Sequence, residues 1–134
     1  MNIDKQKAMK LWKDVFGDVR FAQDCFGTWM CRDAYSNEAV SMRDHFGSGR
    51  NYDYSWNVDH IRPKASYQNE NDADDWNNFE PMHRQNNLEK SDGYTTFTID
   101  NKRYQIVKNG NYGYGIINSA GQRIDWKKSG RYYR

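Results

Sequence analysis

Proline and cysteine are scarce in this chain: two of each among 134 residues. The cysteines, Cys25 and Cys31, form no C-x-x-C pair, so no structural zinc of the usual spacing is expected. A disulfide between them would close a short loop and stays open as an alternative. Two buried free thiols are the expected state. Long apolar runs are missing too. No stretch is long enough to span a membrane, and Met1 to Lys10 is polar and mixed in charge, without the apolar core of a signal. The expectation is an intracellular, cytoplasmic protein with no membrane partner. Nor is there a strong excess of one charge. Twenty Lys and Arg against eighteen Asp and Glu leave a net charge of +2, which permits a nucleic-acid partner without arguing for one.

Aromatic residues are plentiful. They make up 16% of the chain, with 5 Trp, 10 Tyr and 6 Phe. Each buried ring contributes a large apolar area, so a chain this polar can still build a core, and one folded domain with a small appendage is expected. Charge is unevenly placed. Glu70, Asp72, Asp74, Asp75 and Glu80 form an acidic stretch, while Lys102, Arg103, Lys108, Arg123, Lys127, Lys128, Arg131 and Arg134 give a basic tail. Such a pair of regions suits metal attraction at one place and phosphate attraction at another.

Ala8, Leu11, Trp12, Val15 and Phe16 recur at helical spacing, with Asp4 to cap the start and Gly17 to stop the end, so residues 4 to 16 are expected to be a helix. Residues 19 to 36 suggest a hairpin turning near Phe26-Gly27. Residues 37 to 54 are rich in Gly, Ser, Asn, Asp and Arg and suggest an exposed connection with one helical turn over Glu38 to Arg43; His45 within it is expected to be solvated. Ser55 to Asp59 and Asn78 to Met82 are strand candidates flanking a polar loop, and Arg84 to Ser91 reads as a helix. Beyond it, Thr95 to Asp100, Arg103 to Lys108, Tyr114 to Asn118 and Arg123 to Trp126 suggest a meander of about four antiparallel strands. Its rings, Tyr104, Tyr112, Tyr114 and Trp126, fit sheet packing better than base stacking.

The chemistry concentrates in residues 56 to 92, WNVDHIRPKASYQNENDADDWNNFEPMHRQNNLEKSD. Asp59 and His60 are adjacent at a strand end, Asn78 follows a polar loop, Asn87 comes nine positions later on the helix, and Lys90 is one turn further on. Phosphodiester hydrolysis needs an activated water and positive charge beside the phosphate and leaving oxygen. A hard divalent ion prefers oxygen ligands and keeps several waters. The Asp59 carboxylate and the Asn87 amide oxygen are two such ligands, and a histidine is suited to remove a proton from water near neutral pH. Successive strand residues point to opposite faces, so the chain must leave regular strand geometry if Asp59 and His60 are to serve one site; Pro63 is consistent with that exit. Lys90 suits either a phosphate contact, the preferred reading, or a helix-end charge favoured by the dipole.

This stretch resembles the HNH endonuclease superfamily, in its small phage and bacterial form. The resemblance rests on the Asp59-His60 pair, the Asn78 and Asn87 spacing, Lys90, and the H-x-x-N-N run His83-Arg84-Gln85-Asn86-Asn87. It implies a ββα-metal unit in which Asp59 and Asn87 hold a Mg2+ or Mn2+ ion, His60 is the general base, and Asn78 braces the loop and so orients His60. His83 would make a phosphate contact or pack the helix start. Many relatives carry cysteine pairs for a structural zinc around this unit; here Met82, His83, Gln85 and Asn86 stand in that region, and packing by Trp56, Trp76 and Phe79 must take over.

The expected architecture is α+β: a ββα-metal HNH unit with an N-terminal helix and hairpin and a C-terminal antiparallel β meander. Residues 1–93 would form the nuclease domain, with its core motif at 56–92, and 94–134 the meander packed on it. The expected activity is metal-dependent hydrolysis of DNA phosphodiester bonds. Arg62, Arg84, Lys102, Lys127 and Lys128 are candidate nucleic-acid contacts, though Arg62 and Arg84 could be surface charges only. The alternatives are an HNH-fold module that binds nucleic acid or protein without cutting, and a toxin-type nuclease with an immunity partner.

Overall fold

A computed structural model describes residues 4–91, 93, 95–108 and 113–126. Helix α1 spans Lys5–Phe16. Asp4 caps it by accepting the Lys7 amide at 2.9 Å, and Gly17, at φ +79°, closes it by donating to the Lys13 carbonyl. A left-handed stop of this kind favours a residue without a Cβ. The apolar stripe buries Ala8, Leu11 and Trp12.

Strands β1 (Phe21–Gln23) and β2 (Trp29–Cys31) pair antiparallel. Their turn is organised by Asp24, one carboxylate oxygen of which accepts the Phe26 and Thr28 amides. Both cysteines are free; Cys31 is buried and Cys25 partly so. Burial, with the nearby Glu80 carboxylate, holds the Cys25 thiol well above its ordinary range.

Residues 37 to 54 differ from expectation. They contain a second hairpin, β3 (Ser41–Arg43) with β4 (Asn51–Asp53), and Glu38 to Arg43 is not helical. Asp44 supplies the turn by accepting the Phe46 and Ser48 amides and the Tyr54 hydroxyl. Both strands are largely exposed, so the sequence carries no buried, alternating face to betray them. His45 is exposed as expected, but its ring stacks on Phe21 at 4.0 Å.

Strands β5 (Trp56–His60) and β6 (Phe79–His83) pair in full register, Trp56 with His83 through to His60 with Phe79. Strand β6 begins one residue later than expected, because Asn78 closes a 3-10 turn over Trp76–Asn78. Pro81 is tolerated because each strand of a two-stranded sheet is an edge. Helix α2 (Arg84–Lys90) follows directly, giving a strand–loop–strand–helix unit.

The C-terminal sheet has three strands, β7 (Thr96–Ile99), β8 (Lys102–Lys108) and β9 (Tyr114–Asn118), in that order. Asp100 and Asn101, both left-handed, make the two-residue turn between β7 and β8, a conformation short polar side chains accept. The fourth expected strand reduces to one bridge between Arg123 and Ile117. The Ile116 amide goes to the Asp125 carboxylate at 2.8 Å, so a side chain finishes this edge.

One core joins the two halves: Ile61 and Met82 pack with Phe97, Ile99, Ile106 and Ile116 of the meander. A second joins α1 to β1, β2 and β5 through Ala8, Trp12, Ala22, Met30 and Trp56. Trp56 and Phe79 are buried, and half-buried Trp76 donates its indole N–H to Asp14 at 3.1 Å. The fold is α+β. Among the described residues, no helix is long and apolar enough to cross a membrane.

Candidate active site

Asp59, His60 and Asn87 line one cleft of about 240 Å³, together with Val58, Pro63, Lys64 and Ser91. A larger cleft of about 320 Å³ lies on the meander, but neither carboxylate nor imidazole lines it. Of the clefts among the described residues, the smaller one combines a carboxylate with an imidazole. The strand geometry that gathers these groups is not the one expected. Ladder pairing continues through both Asp59 and His60, and the chain turns away only afterwards, at Ile61. His60 is the last paired residue, so its ring reaches the cleft from the strand's end while Asp59 reaches it from the face toward α2.

Asp59 is 4% exposed. Its Oδ1 lies 3.3 Å from Lys90 Nζ, and its Oδ2 is buried without a hydrogen-bond partner. Burial pushes this carboxyl above its ordinary range, and Lys90 and His60 offset part of that. Lys90 is the last residue of α2, the helix-end position of the alternative reading, but its side chain turns inward. It is 1% exposed, donates to the His60 carbonyl at 3.1 Å, and lies over the Phe97 ring. It is a helix-end charge that serves as an internal counter-charge for Asp59, and its burial takes it away from the phosphate contact expected of it.

His60 Nε2 lies 2.8 Å from Asp74 Oδ1, and Asp74 is also 3.6 Å from Lys64 Nζ. The hydrogen bond with His60 holds the Asp74 carboxyl below its ordinary range, against a smaller opposing effect of burial. A carboxylate only accepts, so in the neutral ring Nε2 carries the proton and Nδ1 is left as the acceptor.

Asn78 ties the loop to the sheet. Its Oδ1 accepts the Arg62 amide at 2.9 Å, and its Nδ2 donates to the Arg62 and Ala73 carbonyls, each at 3.0 Å. Ala73 precedes Asp74, so this brace fixes the carboxylate that in turn holds His60. Asn87 lines the cleft from α2, with its amide nitrogen donating to Asn57 Oδ1.

Other candidates lie elsewhere. Of the two roles open to His83, its bonds describe packing at the helix start: Nδ1 accepts the Gln85 amide at 3.1 Å and Nε2 is 2.7 Å from the Asp53 carbonyl. Arg62 is bound within the protein, to Ser66, to the Tyr114 hydroxyl and over the Tyr67 ring. Arg84 bonds Ser55 and Asp53. Lys102 is exposed at the start of β8, and Lys127 and Lys128 lie outside the described residues. The acidic stretch is also partly committed to folding, with Asp75 capping a turn and Glu80 buried and accepting the Trp126 amide.

Sequence reasoning missed Asp74, Lys64 and Asn57. Nothing in the sequence distinguishes Asp74 from Asp72 and Asp75 beside it. Asn57 carried a signal, since it stands two positions before Asp59 and shares its strand face.

The residues fit a hard divalent ion. An unpartnered, buried carboxylate oxygen is costly, and a cation is the partner its charge calls for. Among the described residues, no group of three or more His, Cys, Asp or Glu is placed to hold a metal ion; the oxygen donors of Asp59 and Asn87 are the ones that would face it in this cleft. Two protein oxygens suit magnesium, which retains waters and takes substrate oxygens. No protein-family model, no characterised protein and no solved structure matches this chain.

Proposed function

We propose that this chain is a divalent-metal-dependent nuclease of the HNH kind, hydrolysing phosphodiester bonds in DNA. One observation carries the reading: Asp59, His60 and Asn87 share a cleft in which a buried Asp59 oxygen has no partner. An ion held by Asp59 and Asn87 would supply positive charge beside the phosphate and the leaving 3′ oxygen. His60 Nδ1 takes a proton from the attacking water, whose oxygen bonds to phosphorus as the bond to the 3′ oxygen breaks; the 3′ oxygen keeps the bonding pair and takes a proton from solvent water. Asp74 keeps the imidazole in the tautomer and orientation this needs, and steadies the charge it gains. Lys64, at the cleft wall, adds positive charge where the phosphate would lie.

A second reading draws on Lys90. Its ammonium already balances Asp59, which would let the cleft grip a phosphate backbone without cutting it. Supercoiled plasmid and RNA, each incubated with magnesium, manganese or a chelator, separate the two. Nuclease action converts plasmid to nicked or linear DNA only with the metal, and His60→Ala slows this by roughly 10²–10⁴-fold while keeping the fold. Uncut plasmid under every condition, or a His60→Ala variant as fast as wild type, overturns the reading.

A further inference from the structure

Beside the cleft, three asparagine side chains form a directed chain. Asn87 Nδ2 donates to Asn57 Oδ1 in a short hydrogen bond, and Asn57 Nδ2 donates to Asn37 Oδ1 at 3.4 Å. Asn87 and Asn57 each spend the amide nitrogen on the next residue's oxygen. Asn87 Oδ1, at the head of the chain, accepts no hydrogen bond from the described residues, and Asn87 lines the cleft beside Asp59. An amide can turn over and exchange donor for acceptor, so an isolated asparagine has no fixed polarity toward a ligand. Here the two hydrogen bonds run in one consistent direction. Asn57 gives its own nitrogen to Asn37, which leaves only its oxygen to meet Asn87. That oxygen accepts the Asn87 nitrogen, which leaves the Asn87 oxygen as the atom to present to a cation.

The placement follows from the fold. Asn57 and Asp59 are two apart on β5 and share the face toward α2. Asn87 and Lys90 are three apart on α2 and share the face toward β5. Asn57 meets Asn87, and Asp59 meets Lys90. The strand thus contributes one ligand and, two positions earlier, the group that aims the other.

We infer that Asn57 is a positioning residue of the metal site, fixing the Asn87 amide so that its oxygen faces a divalent cation held with Asp59. This rests on the nuclease reading of the cleft. Partners that orient a ligand commonly change metal affinity by about 10–100-fold.

The test is a double-mutant cycle read as Mn2+ affinity, by calorimetry on the full chain without nucleic acid, beside melting temperature and plasmid cleavage. Asn57→Ala should weaken Mn2+ binding about tenfold or more. Asn87→Ala should weaken it at least as much. The double variant should bind no worse than Asn87→Ala, because Asn57 acts only through Asn87. Asn57→Ser, which restores a smaller acceptor, should recover part of the loss. Two results overturn the inference alone: wild-type affinity in Asn57→Ala, or losses that add in the double variant. A wild-type chain that binds no Mn2+ and cuts no DNA overturns the nuclease reading, and the inference falls with it. A variant that loses affinity only in proportion to a collapsed melting temperature assigns Asn57 to folding and also overturns the inference.

Discussion

His60 Nε2 lies 2.8 Å from Asp74 Oδ1, fourteen positions further on in the loop that Asn78 pins at its far end. Asp74 can only accept, so it dictates which imidazole nitrogen is free. Asn at this position can donate instead and stabilise the opposite tautomer. Asp74→Asn should therefore lower the cleavage rate by about 10–100-fold with little change in DNA affinity, the scale seen when an orienting partner is altered. Single-turnover rates and binding titrations check this; a fall in affinity with an unchanged rate would contradict it.

Lys90 and Asp59 form an ion pair almost wholly removed from solvent, with side chains 0% and 4% exposed. Removing one partner of such a pair typically costs about 3–5 kcal/mol, because the other charge stays buried alone. Lys90→Met should show a loss on that scale in urea titrations at neutral pH. Mn2+ should then raise the variant's melting temperature more than wild type's, since the ion supplies the missing charge. Equal responses to the ion in both proteins would contradict the placement of metal on Asp59.

Asp24 is 1% exposed and accepts four hydrogen bonds, from the Phe26, Thr28 and His83 amides and from the Asn86 side chain. It fastens the first hairpin to the start of α2. Asp24→Ala leaves these donors buried without an acceptor, and a destabilisation of about 3 kcal/mol or more is expected. Chemical denaturation measures it; a loss below about 1 kcal/mol would show that water replaces the carboxylate.

Asp44 titrates at about 2, below its ordinary 3.8, held down by the Ser48 side chain and the Phe46 amide. A lowered folded value means that stability from this group is present above 3.8 and is lost as pH falls toward about 2. The melting-temperature deficit of Asp44→Ala against wild type should thus be full at pH 7 and shrink through that acid window. A deficit that stays constant down to pH 2 would show that the β3–β4 turn does not depend on this charge.

Much of the framework is legible from residue order, because it depends on local rules. The Asp4 cap, the Ala8, Leu11 and Trp12 stripe and the Gly17 stop define α1 within one stretch of chain. The Asp59-His60 pair, Asn78 and Asn87 are spaced by a strand, a loop and a helix, and the structure brings Asp59, His60 and Asn87 to one cleft. Where burial gives little pattern, the sequence is silent: β3 and β4 are short and largely exposed, with Met42 half-buried, and pass for a polar connection.

What the tertiary structure alone decided is the use of each polar group. Lys90, Arg62 and Arg84 are identical in sequence terms to surface charges that meet phosphate. Packing against Phe97, Tyr114 and Ser55 turns each inward and commits it to the protein. Asp74 carries no local mark of importance and Asn57 only its place two positions before Asp59, yet chain reversal sets one against His60 and the other against Asn87. Periodicity reports which residues leave water, a property of neighbours along the chain. A hydrogen-bond partner is fixed by side chains brought together from distant positions, and only the folded chain specifies it.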